Sequence, residues 1–387
     1  MKIGLLIVLL LMVAYPCAAQ TELKVTAVNK LNIARQDETI ELSLKDLASL
    51  AEKDLNKLHV RDSSGKELVA QSVDTDYDDY HKPDLLIFQS DFAPGETRTF
   101  VVFAGKKREY TREDFRAYGR FVRERFDDFA WENDRIAHRT YGKALITWKG
   151  EPLTSSAIDI WSKRTSKLVI NDWYMVDNYH TDLGEGVDAY SAGPTRGCGG
   201  SGIWANDQLF IPKNFVDSRV LANGPIRVMF ELVYEPFEVN GVQVSQVLRV
   251  SLDGGSQLNH FEAFYRRASG NEPLAVAIGL KKVKDEQKEF RGERGRLTIW
   301  EPMEKNLGMQ GLAVVALPAD IDKVAEDKLN HLVVLKPSIT TPVSYWSGFA
   351  WDRAGKITSA TEWNRYVDNF AEARRSPIEV GVSTTTR

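Results

Sequence analysis

Two stretches of the chain gather most of the side chains that can move protons or grip a charged ligand. Residues 125–142 read RFDDFAWENDRIAHRTYG, and residues 171–204 include NYHTDLGEGVDAY followed by GPTRGCGGSGIW. An extended backbone over 133–141 puts Asp134, Ile136, His138 and Thr140 on one face, with Asn133, Arg135, Ala137, Arg139 and Tyr141 on the other. Polar groups on both faces must be paired or functional, and the plain alternative to a site is an Asp–Arg ion-pair ladder pinning a strand near a domain junction. In the second stretch, seven glycines between Gly184 and Gly202 allow tight turns among His180, Glu185, Asp188, Tyr190 and Arg196. Long irregular loops of this kind tend to build sites. A mobile surface loop is the bland alternative, and the interleaved Trp and Tyr residues speak against it.

Other signatures are weak. The run from Gly197 to Gly202 matches GxGxxG, yet no convincing strand precedes it and no long amphipathic helix follows, so nucleotide binding is not expected. The six histidines are scattered, HExxH is missing, and Cys198 stands alone, which gives zinc no ligand set. Loop carboxylates such as Asp182, Glu185 and Asp188 leave calcium open, without EF-hand spacing. There is no GxSxG elbow for a serine hydrolase. His260, in LNHFEAF, reads as a hydrogen-bonded strand histidine, and His59, His81 and His331 read as structural.

The elements that must position these residues are strands. The chain has 387 residues, Lys plus Arg 50 and Asp plus Glu 54, so its net charge of -4 provides no basic field for a nucleic acid. Short apolar or alternating segments at 23–28, 39–44, 58–61, 67–72, 85–89 and 98–103 predict a small antiparallel sandwich over 21–104, interrupted by a helix over 45–55. Residues 105–124 read as a charged linker. From 125 to 387 strand signals recur, among them 144–148, 168–170, 227–233, 242–252 and 258–264, and they predict a large sandwich of two packed antiparallel sheets. A helix is expected over 358–374, with Ala360, Trp363, Val367, Phe370 and Ala371 along one side. The whole is therefore all-β, and its site belongs on a concave sheet face or in the loops at one edge.

Residues 1–20 have the form of a signal peptide, a short basic start followed by an apolar run too brief to span a bilayer, with Cys17-Ala18-Ala19 before the expected cleavage. The protein is thus expected to be exported, most simply to a periplasm, with no membrane span. Cleavage leaves Cys198 as the sole cysteine and no internal disulfide.

The stretches RFDDFAWENDRIAHRTYGKAL and DNYHTDLGEGVDAYSAGPTRGCGGSGIW resemble a bacterial family catalogued as domain of unknown function 4861, met in gene clusters for polysaccharide breakdown. The resemblance implies a galactose-mutarotase-like β-sandwich behind an immunoglobulin-like N-terminal one. It also implies an activity: removal of water across C4 and C5 of a uronic acid at the non-reducing end of an oligosaccharide, as in ulvan breakdown. That elimination needs a base for the C5 proton, a cation on the carboxylate and an acid for the departing hydroxyl. The stretches offer His180 or His138 as base, with Tyr190 or the second histidine as acid. Arg135 or Arg196 would hold the carboxylate. Asn178, Glu185 and Asp188 would grip hydroxyls, and Trp204 or Trp131 would stack on the sugar. The partner is then an acidic oligosaccharide and no cofactor is required. A lyase or epimerase on the same scaffold, a glycosidase, and a non-catalytic carbohydrate-binding protein are the other readings.

Overall fold

The computed structural model describes residues 21–76, 82–150, 153–176, 178–339 and 342–386; residues 1–20, where a signal peptide is expected, and His81 lie outside the described residues. Period-two burial in long strands such as Val242–Asp253 builds an antiparallel eight-stranded sheet. Its order is Phe215–Asn223, Arg227–Val239, Val242–Asp253, Leu258–Arg267, Val343–Trp351, Met309–Val315, Arg296–Pro302 and Gln287–Arg291. Its inner face, including Phe230, Leu248, Phe261, Leu312 and Tyr345, packs on two five-stranded sheets. One of these centres on Cys198–Ala205 and Ala275–Lys281, the other on Asp128–Asn133, Ala137–Thr140 and Asp159–Lys163. The chain is all-β in this sense, as its alternating segments predict.

The small sandwich has its own core, with Leu23, Val25, Leu42, Val60, Phe88 and Phe100 buried between a five-stranded and a three-stranded sheet. Helix Ala360–Arg375 lies on the outer face of the eight-stranded sheet. Its Ser359 cap accepts from the Glu362 amide, and Trp363, Val367 and Ala371 form the buried stripe.

Several local expectations fail for identifiable reasons. Residues 45–55 bury Leu47, Leu50 and Leu55, but Asp46 accepts from the amide and hydroxyl of Ser43, and the segment closes into turns in place of a helix. Residues 144–148 form a short 3-10 turn, and 168–170 lead into helix Ile170–Val176. The supposed linker 105–124 contains strand Ala117–Val122, which pairs with Asp128–Asn133, so the large sandwich begins inside it. Its other end also moves: Glu379–Thr386 leaves the large sandwich and pairs along Thr21–Val28 of the small one.

Candidate functional site

The sequence WEND at 131–134 is a brace. Trp131 and His138 stack in the core, 5.3 Å between centroids, and the Trp131 indole donates to Asn259. Glu132 pairs with the buried Lys163 at 2.6 Å and accepts from the amides of Val169 and Ile170, fixing the start of helix Ile170–Val176. Asn133 donates to the carbonyls of Asp253 and Ser256 and accepts from the amides of Arg135 and Ile136. Asp134 accepts from Arg116 and the Gly255 amide, and Arg116 also reaches Asp37 of the small sandwich. The Asp–Arg ladder expected as the plain alternative is therefore present, at the junction of the two sandwiches.

Residues 133–141 are not one extended run: the chain turns at 134–136 between strands Asp128–Asn133 and Ala137–Thr140, which sets Arg139, with Ala137 and Glu132, on the face opposite Trp131 and His138. Register places Arg139 beside Asp159, while the loop after strand Gly186–Val187 supplies Asp188. The Arg139 guanidinium bonds Asp159 at 2.8 Å and Asp188 at 2.9 Å, with Asp128 at 3.7 Å. It lies near the rings of Tyr141, Trp161 and Tyr179, and the Tyr141 hydroxyl donates to Asp159 at 2.7 Å. Burial pushes the Asp128 carboxyl up to about 7, against the pull of Arg139. Two backbone contacts require glycine here. A Cβ on Gly186 (φ 140°) would sit 2.1 Å from the Ser162 carbonyl oxygen, and one on Gly197 (φ 61°) 2.0 Å from that of Ile158.

Above this buried cluster His180 is open to solvent, 57% of its side chain exposed, with Nδ1 at 3.3 Å from the Asp188 carbonyl oxygen and 3.5 Å from Oδ2. Its Nε2 has no partner among the described residues. Two residues beyond Asp188 in the chain, Tyr190 is buried, and its hydroxyl has no hydrogen-bond partner among the described residues. Burial, then the nearby Glu301, Cys198 and Asp159, hold that phenol protonated well above its ordinary range. Lys281 sits 4.9 Å over the Tyr190 ring and 3.4 Å from Glu304. Glu301 accepts from Gln310 with one oxygen, has no partner for the other, and is pushed by burial up to about 8. Asp188 thus joins an exposed imidazole to the Arg139 cluster, and Tyr190, two residues on in the chain, belongs to a second polar group with Lys281 and Glu301. Such a set can exchange protons and hold an anion.

Of the residues singled out in the sequence, His180 and Asp188 meet here, and Tyr190 follows two residues later in the chain. His138 does not join them. It faces the core with no exposure, its Nδ1–H donating to the Asp159 carbonyl and its Nε2 accepting from Asn259. Burial lowers its pKa to about 4, so it is a neutral, saturated core side chain. Trp131 is likewise sealed, and Arg135 points to the domain junction, 3.9 Å from Asp37. Arg196 is fully buried and held by Ser155 and Ser156, with no carboxylate in hydrogen-bond contact among the described residues, and burial draws its pKa down to about 10. Trp204 packs on the outer face of the Cys198–Ala205 sheet with Ala277 and Val334. Asn178 is exposed on the loop beside His180, and Glu185 is engaged by Lys167 at 2.7 Å, as Asp182 is by Arg164. Asp159, Lys281 and Glu301 went unnoticed in the sequence. Arg139 and Tyr141 were legible as a polar strand face; nothing local marks Glu301 or Lys281.

Comparison with solved structures finds the same sandwich architecture in an alpha-mannosidase from Enterococcus faecalis V583, with TM-score 0.51 and 11% identity over 95% of this chain and 46% of that one. A glycosyl hydrolase family 38 protein from Enterococcus faecalis gives TM-score 0.51 and 10% identity over 94% of this chain and 47% of that one. The chain spans about half the length of these proteins, and at such identity the likeness concerns fold alone. In sequence it is 31% identical over 375 residues to "Uncharacterized protein P7" of Formosa agariphila, covering 92% of this chain and 93% of that protein. Residues 28–380 match the family described as "Domain of unknown function (DUF4861)", and the chain belongs to that family.

Proposed function

We propose that this protein is an exported sugar-processing enzyme that removes water across C4 and C5 of a uronic acid ending an oligosaccharide. The observation that carries the reading is the exposed His180 imidazole, turned by Asp188 so that Nε2 is free, while Tyr190, two residues beyond Asp188 in the chain, carries a phenol that keeps its proton. His180 Nε2 takes the C5 proton while Lys281 faces the substrate carboxylate, which steadies the charge that builds there. As the C4–O bond breaks, Tyr190 protonates the oxygen, which leaves as water, and the electron pair from C5 becomes the new double bond. Asp188 stabilises the imidazolium that forms. The proton gained by His180 offsets the one lost by Tyr190, and exchange with water restores both. No helix among the described residues is long and apolar enough to cross a membrane, and the leader-like first twenty residues support export.

The test is incubation with short saturated uronate-ended oligosaccharides, followed by mass spectrometry and ultraviolet absorbance. Loss of one water from an intact chain, with a new conjugated alkene, is the expected result. Chain cleavage would mean a lyase, and retention of ligand without absorbance a binding protein. In His180→Ala the alkene signal should fall by at least about a hundredfold, the usual contribution of a general base, and full activity in that variant would falsify the assignment.

A further inference from the structure

Away from His180, the junction of the two sandwiches encloses a cavity of about 1210 Å3 bounded by residues 33–41, the outer face of the eight-stranded sheet and helix Ala360–Arg375. That is room enough for several sugar rings. Five carboxylates line it, and each is answered by arginine. Arg116 bonds Asp37 at 2.6 Å, Arg35 bonds Glu38 at 2.7 Å, and Arg249 lies 3.8 Å from Glu262. Arg227 serves both Glu41 and Asp253. Two lining cations, Lys356 and Arg365, are exposed and make no ion pair within 4 Å among the described residues, Arg365 having only the more distant Glu362 of its own helix, so the wall carries a positive surplus.

The floor is built for a polar ring. His260 and Trp346 stack at 5.0 Å with 20° between their planes, and His260 Nε2 is fixed by the Ser344 hydroxyl at 2.7 Å. Two lining groups each hold a buried atom without a hydrogen-bond partner among the described residues: Gln257 Oε1, an acceptor, and Arg374 Nε, a donor on a partly exposed side chain. Buried orphans of both signs call for hydroxyl-bearing partners, and water or a sugar can supply them.

We infer that this junction cavity is a second binding site, taking a carboxylated oligosaccharide. The His260–Trp346 stack would meet the ring, Gln257 and Arg374 its hydroxyls, and Lys356 and Arg365 its carboxylates. The site is separate from the His180 pocket and holds a glycan without transforming it. Such a site would keep an exported enzyme close to its polymeric substrate, since two linked sites raise the local concentration of one ligand at the other.

The test uses the full chain bearing His180→Ala, titrated calorimetrically with a saturated oligoglucuronate and with an uncharged maltooligosaccharide of equal length. The expected result is binding of the charged probe alone, weakened about tenfold or more when Lys356→Ala and Arg365→Ala are added. Both side chains are exposed, so an unchanged melting temperature should accompany the loss. Unchanged affinity in the added variants, equal binding of the uncharged probe, or no binding of the charged one would each overturn the inference. With His180 intact, the Lys356→Ala/Arg365→Ala chain should keep its turnover number on a uronate disaccharide. If no turnover is seen in either chain, the dehydration reading fails while the calorimetric result stands on its own.

Discussion

Both ring nitrogens of His138 are spent inside the core, one on a carbonyl and one on Asn259, whereas His180 spends only Nδ1 and leaves Nε2 to solvent. The two side chains should therefore respond oppositely to truncation. His138→Ala removes a packed ring and strands Asn259, costing about 3 kcal/mol in urea unfolding. His180→Ala should stay within about 0.5 kcal/mol of the parent chain while abolishing turnover. A variant at 138 that unfolds like the parent would show that the core does not need its imidazole. Asp128 makes a separate prediction. Its carboxyl, held up to about 7 chiefly by burial, binds a proton more tightly when folded than when unfolded, where its ordinary value is 3.8. Stability thus falls as pH rises from about 4 to about 7, because the folded state must ionise a buried group. Glu301, raised to about 8, adds to the same slope. Asp128→Asn removes the penalty and keeps an acceptor for Tyr174. The variant should be more stable than the parent near pH 8 and indistinguishable near pH 4, by unfolding at both values; an advantage at the acid end alone would contradict the burial account.

At the scale of strands and loops, the polar sheet face works because the elements around it are pinned. Glu132 ties Lys163 on strand Asp159–Lys163 to the first amides of helix Ile170–Val176, and that helix brings Tyr174 against Asp128. Glu132→Gln would leave the Lys163 ammonium buried without its counter-charge, a loss of about 3–5 kcal/mol. Chemical denaturation should show that loss, and turnover should drop with it as the Arg139 cluster loosens. If stability fell while turnover per folded molecule held, the helix would have no part in shaping the site. Much of this level was legible beforehand. Period-two strands such as Val242–Asp253 and the capped helix at the end announce themselves, since half-burial prints directly on residue type. What was hidden was depth. WEND and DRIAHR look alike as polar strings, yet Trp131 and His138 became a saturated core on one side of the sheet while Glu132 and Arg139 became charged contacts on the other, and a string of residue types does not say which face meets the eight-stranded sheet. Glu301 and Lys281 were invisible for a further reason: they reach the site from strands Arg296–Pro302 and Ala275–Lys281, far along the chain from His180.

For the whole molecule, the decisive connection is the return of the C-terminus. Strand Glu379–Thr386 pairs with Thr21–Val28 over its full length, and Ile378 packs against the small core. The helix just before it is tied to the same sandwich, with Arg35 donating to the Ser376 carbonyl and both Arg35 and Arg374 on Glu38. The two sandwiches are therefore closed into one body by the last residues of the chain, and the junction cavity has its wall from both. Removing residues 377–387 should turn Thr21–Val28 into an edge strand, still paired with Thr97–Ala104 on one side but with the amides and carbonyls of its other side unpaired, a surface that invites association with other chains. The small sandwich, of roughly eighty residues, would lose a few kcal/mol, and at roughly 4–8 °C per kcal/mol for a domain of that size its melting should fall by at least about 10 °C. Because the His180 cluster rests on the large core, its acid–base chemistry should survive in the truncated chain below that temperature, whereas binding of the charged probe at the junction should weaken. Calorimetric scans paired with the alkene assay separate these effects: a single transition with both functions lost together would mean that the large sandwich depends on the small one for its own fold.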